Sequence, residues 1–135
     1  DKILTKTGNL TSREYALMKK HTRMAYEILK ESKSKYLKAG AEIALNHHEH
    51  YDGSGYPEGK KGEDIPLFGR IVCLVDVFDA LMSRRTYKPA WTFTDAVKEI
   101  VDGRGTRFDP AVVDAFLASE QEVLRIAERY RDVYA

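Results

Sequence analysis

Residues 65–82 restrict the fold more than any other stretch of this chain. They read Ile-Pro-Leu-Phe-Gly-Arg-Ile-Val-Cys-Leu-Val-Asp-Val-Phe-Asp-Ala-Leu-Met. At helical pitch this segment is apolar almost all round, which predicts a buried central helix with other elements packed about it. Pro66 suits the first turn of that helix. The run 71–75 is interrupted by Asp76, so no apolar stretch approaches the roughly 20 residues that cross a bilayer.

A buried helix needs amphipathic neighbours, and the flanking sequence supplies them. Thr11 and Glu14 have capping-box spacing. The helix they open carries Leu17, Met18, His21, Ala25, Ile28 and Leu29 at three- and four-residue steps, and it should fade near residues 32–35. A second helix is expected over 36–48, with Leu37, Ala41, Ala44, Leu45 and His48 on one side. Residues 49–66 then form a long loop holding Gly53, Gly55, Pro57, Gly59 and Gly62. A loop of this length inside a compact domain is often functional.

Beyond the central helix, the basic residues 83–89 leave it. Thr92 with Asp95 suggests another cap, leading into 96–101. Residues 103–107 read as a loop. Asp109-Pro110 is a strong helix start for 111–117. Ser119 with Glu122 suggests the cap of a last amphipathic helix. No alternating strand pattern, repeat or low-complexity tract interrupts this series. The expected fold is all-α, one domain over residues 1–135.

The 135 residues suffice for one core. A net charge of +1 lacks the basic excess typical of proteins that bind nucleic acid polymers. The single cysteine, Cys73, cannot form an internal disulfide and reads as a small core residue. With neither a membrane span nor an apolar leader in the sequence, a cytoplasmic location is expected.

Chemistry concentrates in a few positions. Of the four histidines, His21 lies on the apolar face of its helix, where a lone histidine is ordinarily a hydrogen-bonded core residue. His47 and His48 are adjacent. On a helix of 3.6 residues per turn, neighbours project about 100° apart. Both can face one site only where it wraps around the helix end, or they can serve two metals. Asp76 is the more telling residue. A carboxylate within a buried helix costs on the order of several kcal/mol unless it is paired or binds a metal. Arg70 would provide the ion pair; metal ligation is the alternative. Asp79 lies on roughly the same face and suits a supporting or capping role. Imidazoles with a carboxylate suit iron, manganese or zinc. Arg85 and Lys88 read either as a solvated helix end, favoured by the macrodipole, or as a grip on an anion.

The string His47-His48-Glu49-His50-Tyr51-Asp52-Gly53-Ser54-Gly55-Tyr56-Pro57 resembles the HHExxDGxGYP signature of the HD-GYP family. The segment from Leu10 to His21 resembles the family's approach to a ligand histidine. The central helix, Arg85 to Lys88, and Phe108-Asp109-Pro110 match as well, so the likeness reaches about Leu117. It implies an HD-domain-like helical bundle and a metal-dependent phosphodiesterase that hydrolyses cyclic di-GMP to pGpG or GMP in bacterial signalling. In the family, histidines matching His21, His47 and His48 and an aspartate matching Asp76 hold two or three divalent transition metals, iron, manganese or others. Residues matching Arg85 and Lys88 hold the phosphates and guanine of cyclic di-GMP. Tyr56 and the neighbouring Gly55 match the loop that borders the substrate pocket.

The family is named partly for a His-Asp pair that precedes the segment beginning here, followed shortly by a lysine that assists the chemistry. The residues in hand are therefore expected to be the C-terminal part of the domain, with an incomplete metal site. The alternative implied is a non-catalytic module that binds cyclic di-GMP or, through the Gly-Tyr-Pro loop, a diguanylate cyclase. Without its upstream helices the chain should expose apolar surface at Leu17, Ile28 or Val77, which would favour a homodimer.

Overall fold

The structure, a computed structural model, describes residues 3, 6, 8–83 and 90–130. Among them the regular elements are all helical, and the single bridge, Arg104 to Phe108, lies inside a turn.

Helix α1 spans Ser12–Leu29 and opens on the expected capping box. The Thr11 hydroxyl accepts from the Glu14 N–H at 3.3 Å, and the Glu14 carboxylate accepts from the Thr11 N–H at 2.7 Å. Lys6 adds its ammonium at 2.6 Å. Lys6 first, then the Thr11 donors, hold the Glu14 carboxyl down at about 2. Helix α2, Lys35–Asn46, ends two residues short of expectation, with His47 as its cap. Asn46 stops it: its side-chain amide donates back to the Glu42 carbonyl at 2.8 Å, and its own carbonyl accepts from the Glu49 N–H at 3.0 Å.

Helix α3 spans Leu67–Met82, with Pro66 at its cap. It crosses the end of α2 at close range. A Cβ on Gly69 would come within 2.7 Å of the Asn46 Cβ, so the approach requires glycine. Then follow α4, Phe93–Asp102, capped by Thr92 accepting from the Asp95 N–H, and α5, Pro110–Ala118, capped by Asp109 with proline at its start. Helix α6 spans Glu120–Tyr130. Ser119 joins these last two. Its N–H closes α5, and its carbonyl accepts from the Val123 N–H.

The core lies between α3 and the helices after it. Cys73, Leu74 and Phe78 meet Ala96, Ile100, Phe108 and Val113. The Phe78 ring makes edge contacts with Phe93 and Phe116 at 5.8 and 5.2 Å between centroids. Cys73 is the small core residue expected, and burial pushes its thiol up.

Two expectations about α3 fail together. It is not buried all round, because α2, α4 and α5 pack against it from one side. Leu67, Phe68, Ile71 and Val75 form an exposed stripe that repeats every three to four residues. Asp76 shares this exposure, so the cost of an isolated buried carboxylate does not arise. Nor does Arg70 pair with it. The Arg70 guanidinium instead grips the buried Asp109 and donates to the Ile65 carbonyl at 2.8 Å. Leu17 and Ile28 are exposed as expected, whereas Val77 packs partly against the core. Arg85 and Lys88 lie outside the described residues. No described helix is long and apolar enough to cross a membrane.

Asp109 holds two ends at once: the Arg70 ion pair at the start of α3, and the α5 cap through the Ala111 N–H at 2.8 Å. Asp109→Ala should lower unfolding stability by about 3–5 kcal/mol, since it strands a mostly buried guanidinium and removes a cap. Asp114→Ala, which breaks an exposed pair with Arg104, should cost far less. Urea unfolding of both variants checks this, and a smaller loss for Asp109→Ala than for Asp114→Ala would contradict it.

Candidate metal centre

The packing of α1 on α2 brings three imidazoles together. His21 comes from α1, His47 caps α2, and His48 follows in a turn. One nitrogen from each lies within 4.8 Å of the others. Ring centroids stand 5.8 Å apart for His21 and His47, 5.1 Å for His21 and His48, and 4.1 Å for His47 and His48. The early end of α2 answers the difficulty posed by adjacent histidines. His48 has left the helix, so the two rings are not held to helical spacing.

The ring nitrogens are already sorted. His21 Nδ1 donates to the Met18 carbonyl, and His47 Nδ1 to the carbonyls of Ile43 and Ala44, each at 3.0 Å. A carbonyl only accepts, so each Nδ1 carries a proton, and Nε2 is the nitrogen each ring would offer to a metal. Metal-ligating histidines are oriented in this way. Burial, followed by the charges of His47 and His21, lowers His48 to about 4. Its ring is therefore neutral near pH 7, the form that ligates metal. Three imidazoles at this spacing fit a divalent transition metal.

Asp76 does not join that group. It lies exposed on α3, but its negative charge reaches His48 and Tyr56. His50 also stays apart, with Nδ1 3.1 Å from the Ser54 hydroxyl. Tyr56 and Gly55 are placed against the histidines themselves. The Tyr56 ring stacks on His48 at 4.8 Å and 20°, and its N–H donates to the His48 carbonyl at 3.0 Å. A Cβ on Gly55 would run into the His48 carbonyl and the His50 nitrogen, so the loop can fold back here only on glycine. Burial raises the Tyr56 hydroxyl, which stays neutral.

Two supporting residues have roles that the sequence did not show. Glu49 is buried, and its carboxylate accepts from the Glu58 N–H at 2.7 Å and the Lys60 N–H at 3.0 Å. Asn46 is buried too, and its side-chain oxygen accepts from the Lys60 ammonium at 3.0 Å. Lys60 also pairs with Glu58, which Arg23 approaches from α1 at 3.7 Å. In a glycine-rich loop such charges look like solvated ones, and only their burial sets them apart.

The geometry agrees with comparisons to known proteins. Residues 1–112 match the HD domain family. A cyclic di-GMP phosphodiesterase response regulator of Xanthomonas campestris pv. campestris is 48% identical over 96% of this chain and 34% of its own length. A cyclic di-GMP phosphodiesterase of Thermotoga maritima is 47% identical over 98% of the chain and 36% of its own length. A crystal structure of a cyclic GMP-AMP-specific phosphodiesterase of Vibrio cholerae superposes with a TM-score of 0.62 at 25% identity, covering 95% of this chain and 35% of that one. The chain belongs to the HD domain family, among its HD-GYP members, and has the corresponding helical fold. It spans about a third of the length of these relatives. The family implies dependence on divalent metal, and the three-imidazole cluster is compatible with it.

Glu49→Gln keeps the size of the side chain and removes the charge behind both clamping bonds. Amide hydrogen exchange at Glu58 and Lys60 should then speed up by about tenfold, the cost of turning charge-assisted bonds into neutral ones. Exchange in α3 should not change. Unaltered rates at Glu58 and Lys60 would show that the clamp does not hold the loop.

Proposed function

We propose that this chain is the metal-binding part of a phosphodiesterase that hydrolyses cyclic di-GMP to pGpG or GMP in bacterial signalling. The observation that carries the reading is the His21, His47 and His48 cluster, set beneath the loop that bears the HD-GYP signature. The names of the relatives favour the same chemistry.

In this reading the three histidines hold two or three divalent ions, iron or manganese among them, and Asp76 is a further ligand from α3. Bound metal supplies an acidified water at neutral pH and neutralises charge on phosphoryl oxygens. The protein's own contribution is orientation. Backbone carbonyls fix the His21 and His47 tautomers, Tyr56 covers one face of His48, and Glu49 holds the loop in place. Arg85 and Lys88 bind the phosphates and guanine, the arginine bidentately and the lysine as a point charge. Tyr56 and Gly55 border the substrate pocket. Cyclic GMP-AMP is the second substrate to test, because a Vibrio cholerae relative named as specific for it is 43% identical over 93% of this chain. A non-catalytic module would instead bind cyclic di-GMP, or a diguanylate cyclase, without turnover.

Metal content and turnover of the complete protein test the assignment. Wild type should hold at least one metal per chain and hydrolyse cyclic di-GMP. His48→Ala and Asp76→Ala should lose metal and about a hundredfold or more of activity. Arg85→Ala should keep its metal and show a raised KM. Wild type with less than one metal per chain would overturn the reading, and equal metal loss in Arg85→Ala would overturn the division of roles.

A further inference from the structure

Two cations outside the residues discussed so far bear on the stack of Tyr56 and His48, Lys19 by contact and Arg107 through its charge. Lys19 comes from α1. Its ammonium lies 5.0 Å from the centroid of the Tyr15 ring and 5.9 Å from that of Tyr56. The two tyrosine rings meet edge to face at 6.1 Å. Lys19 thus rests against aromatic surface that in turn covers His48.

Arg107 comes from the turn between α4 and α5. Its carbonyl accepts from the Tyr51 N–H at 3.1 Å, and the neighbouring Thr106 carbonyl accepts from the Asp52 N–H at 2.8 Å. These bonds lace the turn to the signature loop just after the histidines. Phe108, the next residue, is buried in the core, and the Arg107 guanidinium lies 5.7 Å from its ring centroid. The backbone of Arg107 is therefore fixed from both sides, while its side chain remains exposed. Its positive charge is felt at His48, His50, Tyr56 and Cys73.

Arg23, Arg70, Arg104 and Arg125 each have a carboxylate within 4 Å. Among the described residues neither Lys19 nor Arg107 has one, and no ion pair joins Asp76 to either. Beside a cluster suited to metal, two cations without a carboxylate partner among the described residues repel the ions that the cluster would hold. An anion bound beside them would offset that repulsion.

We propose that Lys19 and Arg107 form the two sides of a phosphate-binding cradle at the rim of the histidine cluster. The proposal rests on the phosphodiesterase reading, and its ligand is one phosphate of the dinucleotide. Arg107 supplies a planar fork that matches two phosphate oxygens, and Lys19 a single point charge. Lys19, from α1, and Arg107, from the turn that the signature loop grips, approach the tyrosine-histidine stack from separate elements. This gives the site a phosphate contact independent of Arg85 and Lys88.

The test uses the complete, metal-loaded protein, titrated calorimetrically with inorganic phosphate and separately with cyclic di-GMP. Lys19→Gln and Arg107→Gln should each weaken both ligands by about tenfold, the scale of one charge-assisted hydrogen bond. Metal content should be unchanged, and Arg107→Lys should recover only part of the loss. Wild-type phosphate affinity in both glutamine variants would overturn the cradle, as would wild-type protein that binds no phosphate. Metal loss in step with ligand loss would also overturn it, by showing that the cations only support the histidines. If wild type binds phosphate in a Lys19- and Arg107-dependent manner but ignores cyclic di-GMP, the cradle stands and the substrate assignment fails.

Discussion

A buried carboxylate organises the working end of this molecule. Glu49 follows directly on the two adjacent histidines and points inward to accept the N–H groups of Glu58 and Lys60. A desolvated charge of this kind is unfavourable unless its lone pairs are filled, and here two backbone donors fill them. The loop they belong to is thereby pulled over the end of α2. Gly55 then lies against the His48 backbone, and Tyr56 covers its ring. The Lys60 ammonium closes the same arrangement onto Asn46, at the point where α2 stops and α3 crosses on Gly69. One side chain thus links the end of a helix, the glycine-rich loop and the histidine cluster.

The fold beneath has two unequal parts. From α3 onward the chain has a closed core, in which Leu74, Ile100 and Val113 are fully buried. The α1 and α2 layer packs on one end of it and leaves Met24, Ile28 and Tyr36 largely exposed. The outward stripe of α3 adds Leu67, Phe68 and Val75. The histidines sit in the α1 and α2 layer, with the closed core supporting them through α3 and the turn at Arg107. That division suits a site whose groups must stay reachable while their backbone stays fixed.

Much of this was legible in the sequence because it depends on local rules. Caps at Thr11, Thr92 and Asp109 announced three helix starts, since a side-chain oxygen within reach of free N–H groups is a local matter. The signature string announced the loop and the histidines within it. What could not be read was the sidedness of α3. Composition shows that a helix is apolar, not which neighbours arrive to cover it, so Asp76 was expected to be buried and proves exposed. The partner of Arg70 was misjudged for the same reason: Asp109 lies 39 residues away and meets it only after folding. Asn46 and Arg107 gave no signal, and Glu49 stood in the signature string without showing its role, because burial and pairing are properties of the assembled structure.

The central claim is that His21, His47 and His48 act together on metal. X-ray absorption at the metal edge of manganese- or iron-loaded protein tests it most directly. The account predicts a nitrogen shell with the multiple scattering of imidazole rings, reduced in His48→Ala. A shell of oxygen atoms alone, identical in wild type and His48→Ala, would contradict it.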